Sequence, residues 1–392
     1  MAELYILNDA FQRIEIVEKF ESLIWTERYS EVGDFTLLID PRIAEQPLAQ
    51  PGTLLALNGS DRVMELRTVE STTDEEGKRL LKATGSSIES WLHDRPNQSA
   101  FASGAAPIEV SKTGTPGDII RAFFFEICKT NTNIVPDNIQ YLEAITISNF
   151  TGAIAEPTTS ITYRKPMDTL FNTIKELADP WDLGFRLIRV ADDSKLYFEV
   201  YTGFDRTSGQ TARPSVIFST DLDNLDNTAE VNSNAILKTV AYVYHKNGSR
   251  IVYGDGYDVN TTGSARRALI VDANDLDQTL SGAALNTALD LRGKLELASQ
   301  RYIMGFDGEI AQSNKYIYNT HYRLGDLVEQ ASDTGYKRVL RVTEQIFVSD
   351  KEGDRSYPTL TFNTLITPGT WYAIPGTQEW YDYNSTTYWN SM

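Results

Sequence analysis

Cysteine and histidine are nearly missing from this chain, and long apolar runs are missing altogether. One cysteine in 392 residues, Cys128, leaves no internal disulfide and no thiolate metal site that the chain can build alone. The three histidines, His93, His245 and His321, form no H-x-x-H or H-E-x-x-H spacing, so no zinc or iron site is expected. No stretch approaches the roughly 18 to 20 apolar residues of a membrane helix, and MAELYILNDAFQRIEIVEKF carries charge from its third residue with no cleavage-like site. The expectation is a protein made in the cytoplasm, unprocessed and not inserted in a membrane. Basic residues are also short: 36 Lys and Arg face 54 Asp and Glu, a net charge of −18. A phosphate-binding surface needs clustered cations, so DNA and anionic lipid are not expected as tightly held partners. A surface of this sign would let DNA pass without binding it.

Catalytic signatures are scarce as well. The chain has no G-x-S-x-G elbow, no G-x-x-x-x-G-K-[ST] loop and no G-x-G-x-x-G after a strand. With 54 carboxylates some close pair is inevitable, so a pair selects nothing. The acidic loop after PSVIFS invites a calcium reading, which fails on counting from Asp221: position 5 is Leu225, position 6 is Asp226 and position 12 is Asn232. That loop, and the one at 254–258, read as turns in which Asp and Asn cap their own backbone. Leu324-Gly325-Asp326, near His321, reads as a turn whose glycine supplies positive φ. The expectation is a non-enzyme with no cofactor and no metal.

What is present is β periodicity. ELYIL, KFESLIWTERY, DFTLLID, GTLLALNG, DRVMELRTVES and GKRLLKATG are short strands set apart by turn residues such as Asn58-Gly59. In the fifth of these, Met64, Leu66 and Thr68 alternate with Glu65 and Arg67, which predicts a half-buried strand. Residues 1–96 read as an antiparallel barrel. A Gly/Pro-rich linker follows, and then the period changes. Thr115-Pro116 is an N-cap and first-turn pair opening a helix with Ile119, Ile120, Phe123 and Ile127 on one face. PMDTLFNTIKELAD predicts a second helix carrying Met167, Leu170, Phe171, Ile174, Leu177 and Ala178, stopping at Asp179-Pro180. With the strands FRLIRV and KLYFEVY, residues 97–210 read as linker plus an α+β domain. Strand patterning returns over 211–368, a second barrel with a helical insertion near 281–302. The fold class is mainly β, with two antiparallel barrels flanking a mixed middle.

Residues 369–392 stand apart. They hold three of the six tryptophans and no Lys or Arg, with Trp371, Tyr372, Trp380, Tyr381, Tyr383, Tyr388 and Trp389 as their aromatic side chains. Such residues bury large area at small entropic cost and anchor interfaces. A docking arm, a segment packed on the chain's own domains, and a sugar-binding platform are the three readings.

Seven segments in order resemble one known family. SLIWTERYSEVGDFTLLID resembles its Trp-x-x-Arg-Tyr…Gly-Asp-Phe signature through Trp25, Arg28, Tyr29, Gly33, Asp34 and Phe35, and TGSSIESWLHDR is similar to the end of its first barrel. FEVYTGFDRT supplies Gly203, Asp205 and Arg206, followed by PSVIFSTDLDNL. GSARRALIVDA, HYRLGDLV with Leu324, Gly325 and Asp326, RVTEQ and PTLTF continue the series. The family is the tail hub, or minor tail protein, of long non-contractile-tailed phages, similar in fold to the central hub of contractile-tailed phages. The resemblance implies a tail-tip virion protein whose homotrimer forms a ring of six similar barrels. Such a hub contacts distal tail protein, tape-measure protein and tip or fibre proteins, and opens for genome ejection. Many relatives continue into hydrolase or receptor-binding modules. Here the aromatic arm stands in that place, and no such module is expected.

Overall fold

The computed structural model describes residues 3–361 except 18, 43–45, 74–76, 78, 99–108, 130–138, 140–141, 148–152, 191–194, 223, 225, 310–315 and 332–336. The aromatic arm lies outside the described residues. The chain is mainly β.

The first strands are β1 (Leu4–Leu7), β2 (Arg13–Val17), β3 (Ser22–Arg28), β4 (Asp34–Ile39), β5 (Leu54–Leu57), β6 (Val63–Thr73) and β7 (Arg79–Ser87). Strict alternation drives β4, where Phe35, Leu37 and Ile39 point to one face and are buried while the residues between them are not. They meet Trp25, Leu4, Ile6, Met64 and Leu66 in one core. The period-two expectation for β6 fails at Thr68, which is exposed. A bulge between Leu66 and Thr68 shifts the register against β7, so the phase flips and Val69 packs on the core instead.

Next come β8 (Val110–Gly114), α1 (Pro116–Cys128), β9 (Leu142–Ile147), β10 (Ile161–Lys165), α2 (Leu170–Ala178), β11 (Gly184–Val190) and β12 (Lys195–Tyr201). Thr115 caps α1 as anticipated, its side chain accepting from the Asp118 N–H at 3.2 Å. Helix α2 starts later than expected. Thr169 takes the cap position, bonding the Asn172 N–H at 3.2 Å, and leaves Met167 outside the helix and 44% exposed. Both helices pack on the sheet β11-β12-β9, and the rings of Phe124 and Phe198 stack at 3.7 Å.

The last part holds β13 (Ile217–Phe218), β14 (Asp226–Ser233), β15 (Val240–His245), β16 (Gly248–Tyr253), β17 (Ala268–Asp272), α3 (Gly282–Ser299), β18 (Ile303–Glu309), β19 (Leu327–Ala331), β20 (Lys337–Asp350) and β21 (Gly353–Thr361). Three of these strands form a separate small sheet, β16-β15-β17, with α3 laid across it. Leu285, Leu289 and Leu297 form the helix stripe, and Gly293 lets the helix approach, since a Cβ there would sit 2.6 Å from Val252 Cγ2.

Of the remaining strands, β14, β18, β20 and β21 join the first set in one path, β14-β18-β21-β20-β3-β4-β7-β6-β5-β1-β2, while β19 pairs with β20 and with β13 beside it. Strand β20 makes the join. Its first half pairs with β19, and Glu344–Ser349 pair antiparallel with Leu23–Arg28 of β3. Among the described residues this path has two ends, β14 and β2, and no ring of strands closes on itself. Of the two antiparallel barrels anticipated from sequence, neither is seen as a closed ring among the described residues, where the first and last thirds of the chain share one sheet.

Candidate functional site

The aspartate-rich turn that looked like a cation loop uses its side chains locally. Asn224 Oδ1 accepts from the Ser219 N–H at 2.9 Å, its amide donates to the Ile217 carbonyl at 2.8 Å, and Ser219 Oγ accepts from the Asp221 N–H at 3.1 Å. Asp223 lies outside the described residues. In the 254–258 loop, Asp258 accepts from the Asn260 N–H at 2.8 Å. Both behave as Asx turns.

The residues quoted for the family motif converge elsewhere, on a buried polar seam where β3, the 201–206 segment and the 323–327 segment meet. Tyr29, at the end of β3, is 1% exposed and donates its hydroxyl toward the carbonyls of Asp182 at 2.8 Å and Tyr201 at 3.0 Å. Glycines make room for its ring: a Cβ on Gly184 would stand 2.2 Å from Tyr29 Cε2, and one on Gly325 would stand 2.5 Å from it. Gly325 has φ +89, as anticipated for that turn, and Gly203 at φ +75 packs so tightly that its Cβ would lie 2.2 Å from the Gly325 carbonyl.

Asp326 does more than close that turn. It is fully buried, and Oδ1 accepts from the Phe204 N–H at 2.8 Å while Oδ2 accepts from the Arg323 N–H at 3.1 Å and from Arg206 Nε at 3.4 Å. Burial pushes its carboxyl up to about 6, against the pull of these donors. Burial likewise holds the Tyr29 phenol far above its ordinary range. Asp205 accepts from the Thr207 N–H and forms a bridge to Leu327, whose carbonyl receives the Arg206 N–H at 2.8 Å. Leu324 is buried in the core beneath.

The rest of the motif lies along the β3–β4 turn. Trp25 and Phe35 are cross-strand partners with ring centroids 6.1 Å apart. Arg28 bridges Asp34 at 2.6 Å and Glu344 of β20 at 2.5 Å, tying turn to seam. Gly33 donates its N–H to Ser87 Oγ at 2.8 Å, and a Cβ there would collide with the Thr26 carbonyl at 2.4 Å.

Sequence reasoning missed the group that holds the seam together. Arg341, on β20, donates to the Thr202 carbonyl at 2.7 Å, to the Gly325 carbonyl and to Asp182 Oδ2 at 3.1 Å, with its guanidinium 5.4 Å from the Tyr29 ring centre. Arg341 and Asp182 are 4% and 1% exposed as side chains. A second missed contact joins Glu27 of β3 to the Tyr318 hydroxyl at 3.0 Å and to Ser60. The available signal was an arginine set between the apolar Leu340 and Val342 in the strand that carries RVTEQ. The seven arm aromatics named above lie outside the described residues.

The seam is chemically suited to holding three distant segments rigidly, since its polar groups bond to backbone and to one another. It does not bring an acid, a base and a nucleophile around open space. A model of the siphovirus ReqiPepy6 Gp37-like protein family matches residues 3–360. The fold is similar to that of a tail protein from Neisseria meningitidis MC58, at 14% identity and TM-score 0.55, covering 92% of this chain and 97% of that one. It is also similar to a 43 kDa tail protein of prophage MuSo2 from Shewanella oneidensis, at 13% identity and TM-score 0.57, with the same two coverages, 92% and 97%. At such identities the likeness is one of fold. No curated protein matches the sequence.

Proposed function

The chain belongs to the siphovirus ReqiPepy6 Gp37-like family, a family of phage tail proteins, and from that premise we propose that it is the structural hub of a long tail. Three copies form a ring at the tail tip. In each, the first and last strand sets act as two tube-like barrels flanking an α+β middle, so that three chains present six similar units to a six-fold tube and a three-fold face to the tip. The ring receives distal tail protein above, meets the end of the tape-measure protein in its lumen, holds tip or fibre proteins below and opens for genome passage. Its excess of 54 acidic over 36 basic residues keeps the passing DNA from sticking. The role is structural, not enzymatic.

The observation that carries this reading is the β3–β20 pairing, clamped by Arg28 to Glu344. It makes two strand sets, far apart in sequence, one mechanical body. A hub that carries load between tube and tip requires that coupling.

Electron cryomicroscopy of intact tail tips tests it. The expected result is this chain in three copies as a closed ring at the end of the tube. A chain hanging at the periphery overturns the hub and favours a host-surface carbohydrate-binding module. Removing residues 369–392 is expected to leave the chain folded, by circular dichroism, while blocking one assembly step of the particle. Normal particles from the truncated chain would remove the arm from assembly.

A further inference from the structure

The small sheet β16-β15-β17 has two unlike faces. Ala241, Val243, Val252 and Val271 face α3 and are buried. On the other face a row crosses all three strands, with Ile251 and Ile270 as the register partners of Tyr242 on either side. These side chains are 49%, 76% and 37% exposed, and Tyr244, next along β15, is 43% exposed. Single exposed apolar residues are ordinary, but a contiguous aromatic and aliphatic row marks a contact surface. Arg266 stands over it, donating to the Tyr242 hydroxyl at 2.6 Å with its guanidinium 5.9 Å from that ring's centre.

We propose that this face is the docking site of the chain's own C-terminal arm, residues 369–392. Three observations select that occupant. The arm is rich in Trp and Tyr and carries Glu379 and Asp382 with no Lys or Arg, which complements an apolar row overlooked by Arg266. The last described residue, Thr361, also lies within the arm's reach of this face. Thr361 at the end of β21 pairs with Gly305 of β18, and β18 begins three residues after Gln300, whose carbonyl accepts the Lys238 N–H at the foot of β15. The stretch from 362 to 369 reaches about 27 Å when extended, and the run from Gly305 back to Gln300 spans at most about 17 Å. Finally, the length suffices, since 24 residues exceed what is needed to cross strands of five or six residues. The docking goes beyond the hub reading and does not require the ring.

Tryptophan quenching reads it directly. Of the six tryptophans, Trp371, Trp380 and Trp389 are in the arm, while Trp25 and Trp181 are buried in the body and Trp91 is half-buried. The full-length chain is titrated with acrylamide beside Ile270→Glu and, as a control, Ile14→Glu on the far edge strand β2. Both sites are more than half exposed, so both variants fold, as circular dichroism will verify. The expected result is shielded arm tryptophans in the wild type and in Ile14→Glu, with loss of shielding in Ile270→Glu. Equal quenching in all three chains overturns the proposal. Repeating the titration on dilution distinguishes the source: shielding that persists places the arm on its own chain, as proposed, and shielding that is lost places it on a second copy and overturns docking on the chain's own body. As a second measurement, deleting 369–392 should raise binding of a hydrophobic dye, and adding Ile270→Glu to the deletion should abolish that rise. A deletion that leaves dye binding unchanged counts against the face as the receptor.

Discussion

The seam and the small α3 module place the same kinds of side chain in opposite settings. In the seam, Arg341 and Asp182 are buried together, and Arg341 donates both to the Asp182 carboxylate and to the carbonyl of Thr202, more than a hundred residues away. In the module, Arg250 and Asp290 form a two-pronged pair at 2.8 and 2.9 Å in the open, and the core beneath is aliphatic. A buried pair is costly to desolvate and so specifies one arrangement of its surroundings, whereas an exposed pair constrains little. The seam therefore fixes how the first and last thirds of the chain sit together, and the module is held by ordinary apolar packing while offering a face outward.

The largest effect should come from Arg341→Ala. It leaves Asp182 buried without its cation and strips donors from the carbonyls of Thr202 and Gly325, a loss of about 3–5 kcal/mol. Urea unfolding measures it. A loss no larger than that of a surface substitution would mean the two thirds are held by strand pairing alone.

A smaller effect separates the regions by pH. The Asp326 carboxyl titrates at about 6 in the folded chain because of burial, above the roughly 3.9 of an unfolded aspartate. The folded state then holds its proton more tightly than the unfolded state does. Stability from this group is complete below about pH 4 and falls as pH rises through 6, by about 3 kcal/mol. Asp255, in the loop after β16, is raised to about 6 by burial as well, with Lys294 pulling the other way. Asp326→Asn should flatten the seam's share of the decline between pH 4 and 7 while Asp255→Asn flattens the module's. Urea midpoints across that range provide the measure, and a slope unchanged by Asp326→Asn would mean its donors outweigh burial.

How much of this was legible in the sequence follows from the range of each interaction. The α1 cap at Thr115 and the alternation of β4 are local and were read from consecutive residues. The phase flip at Thr68 was not, because a bulge is set by the partner strand. The β3–β20 join was out of reach for the same reason: period two says that a strand exists and says nothing of its neighbour. Asp326 looked like a turn residue because Leu-Gly-Asp is a turn sequence, and Gly325 does adopt positive φ. Its burial depends on Tyr29 and Gly203, which no local pattern connects to it. The resemblance quoted for Tyr29, Gly203 and Gly325 did gather residues that meet in space, but it omitted Asp182 and left Arg341 as one letter of a strand motif.

The smallest expected effect is the counterpart of the first. Arg250→Ala removes a guanidinium that makes two short bonds to Asp290, so on distance alone it should rival Arg341→Ala. Solvent decides otherwise. Arg250 and Asp290 keep 43% and 38% of their side-chain surface, water replaces the lost partner, and salt screens what remains. The substitution should leave the urea midpoint within its scatter, and adding Asp290→Ala should reveal no coupling. If Arg250→Ala instead matched Arg341→Ala, burial would no longer separate seam from module. The contact between β16 and α3 would then be held by this pair as firmly as the seam is held by Arg341.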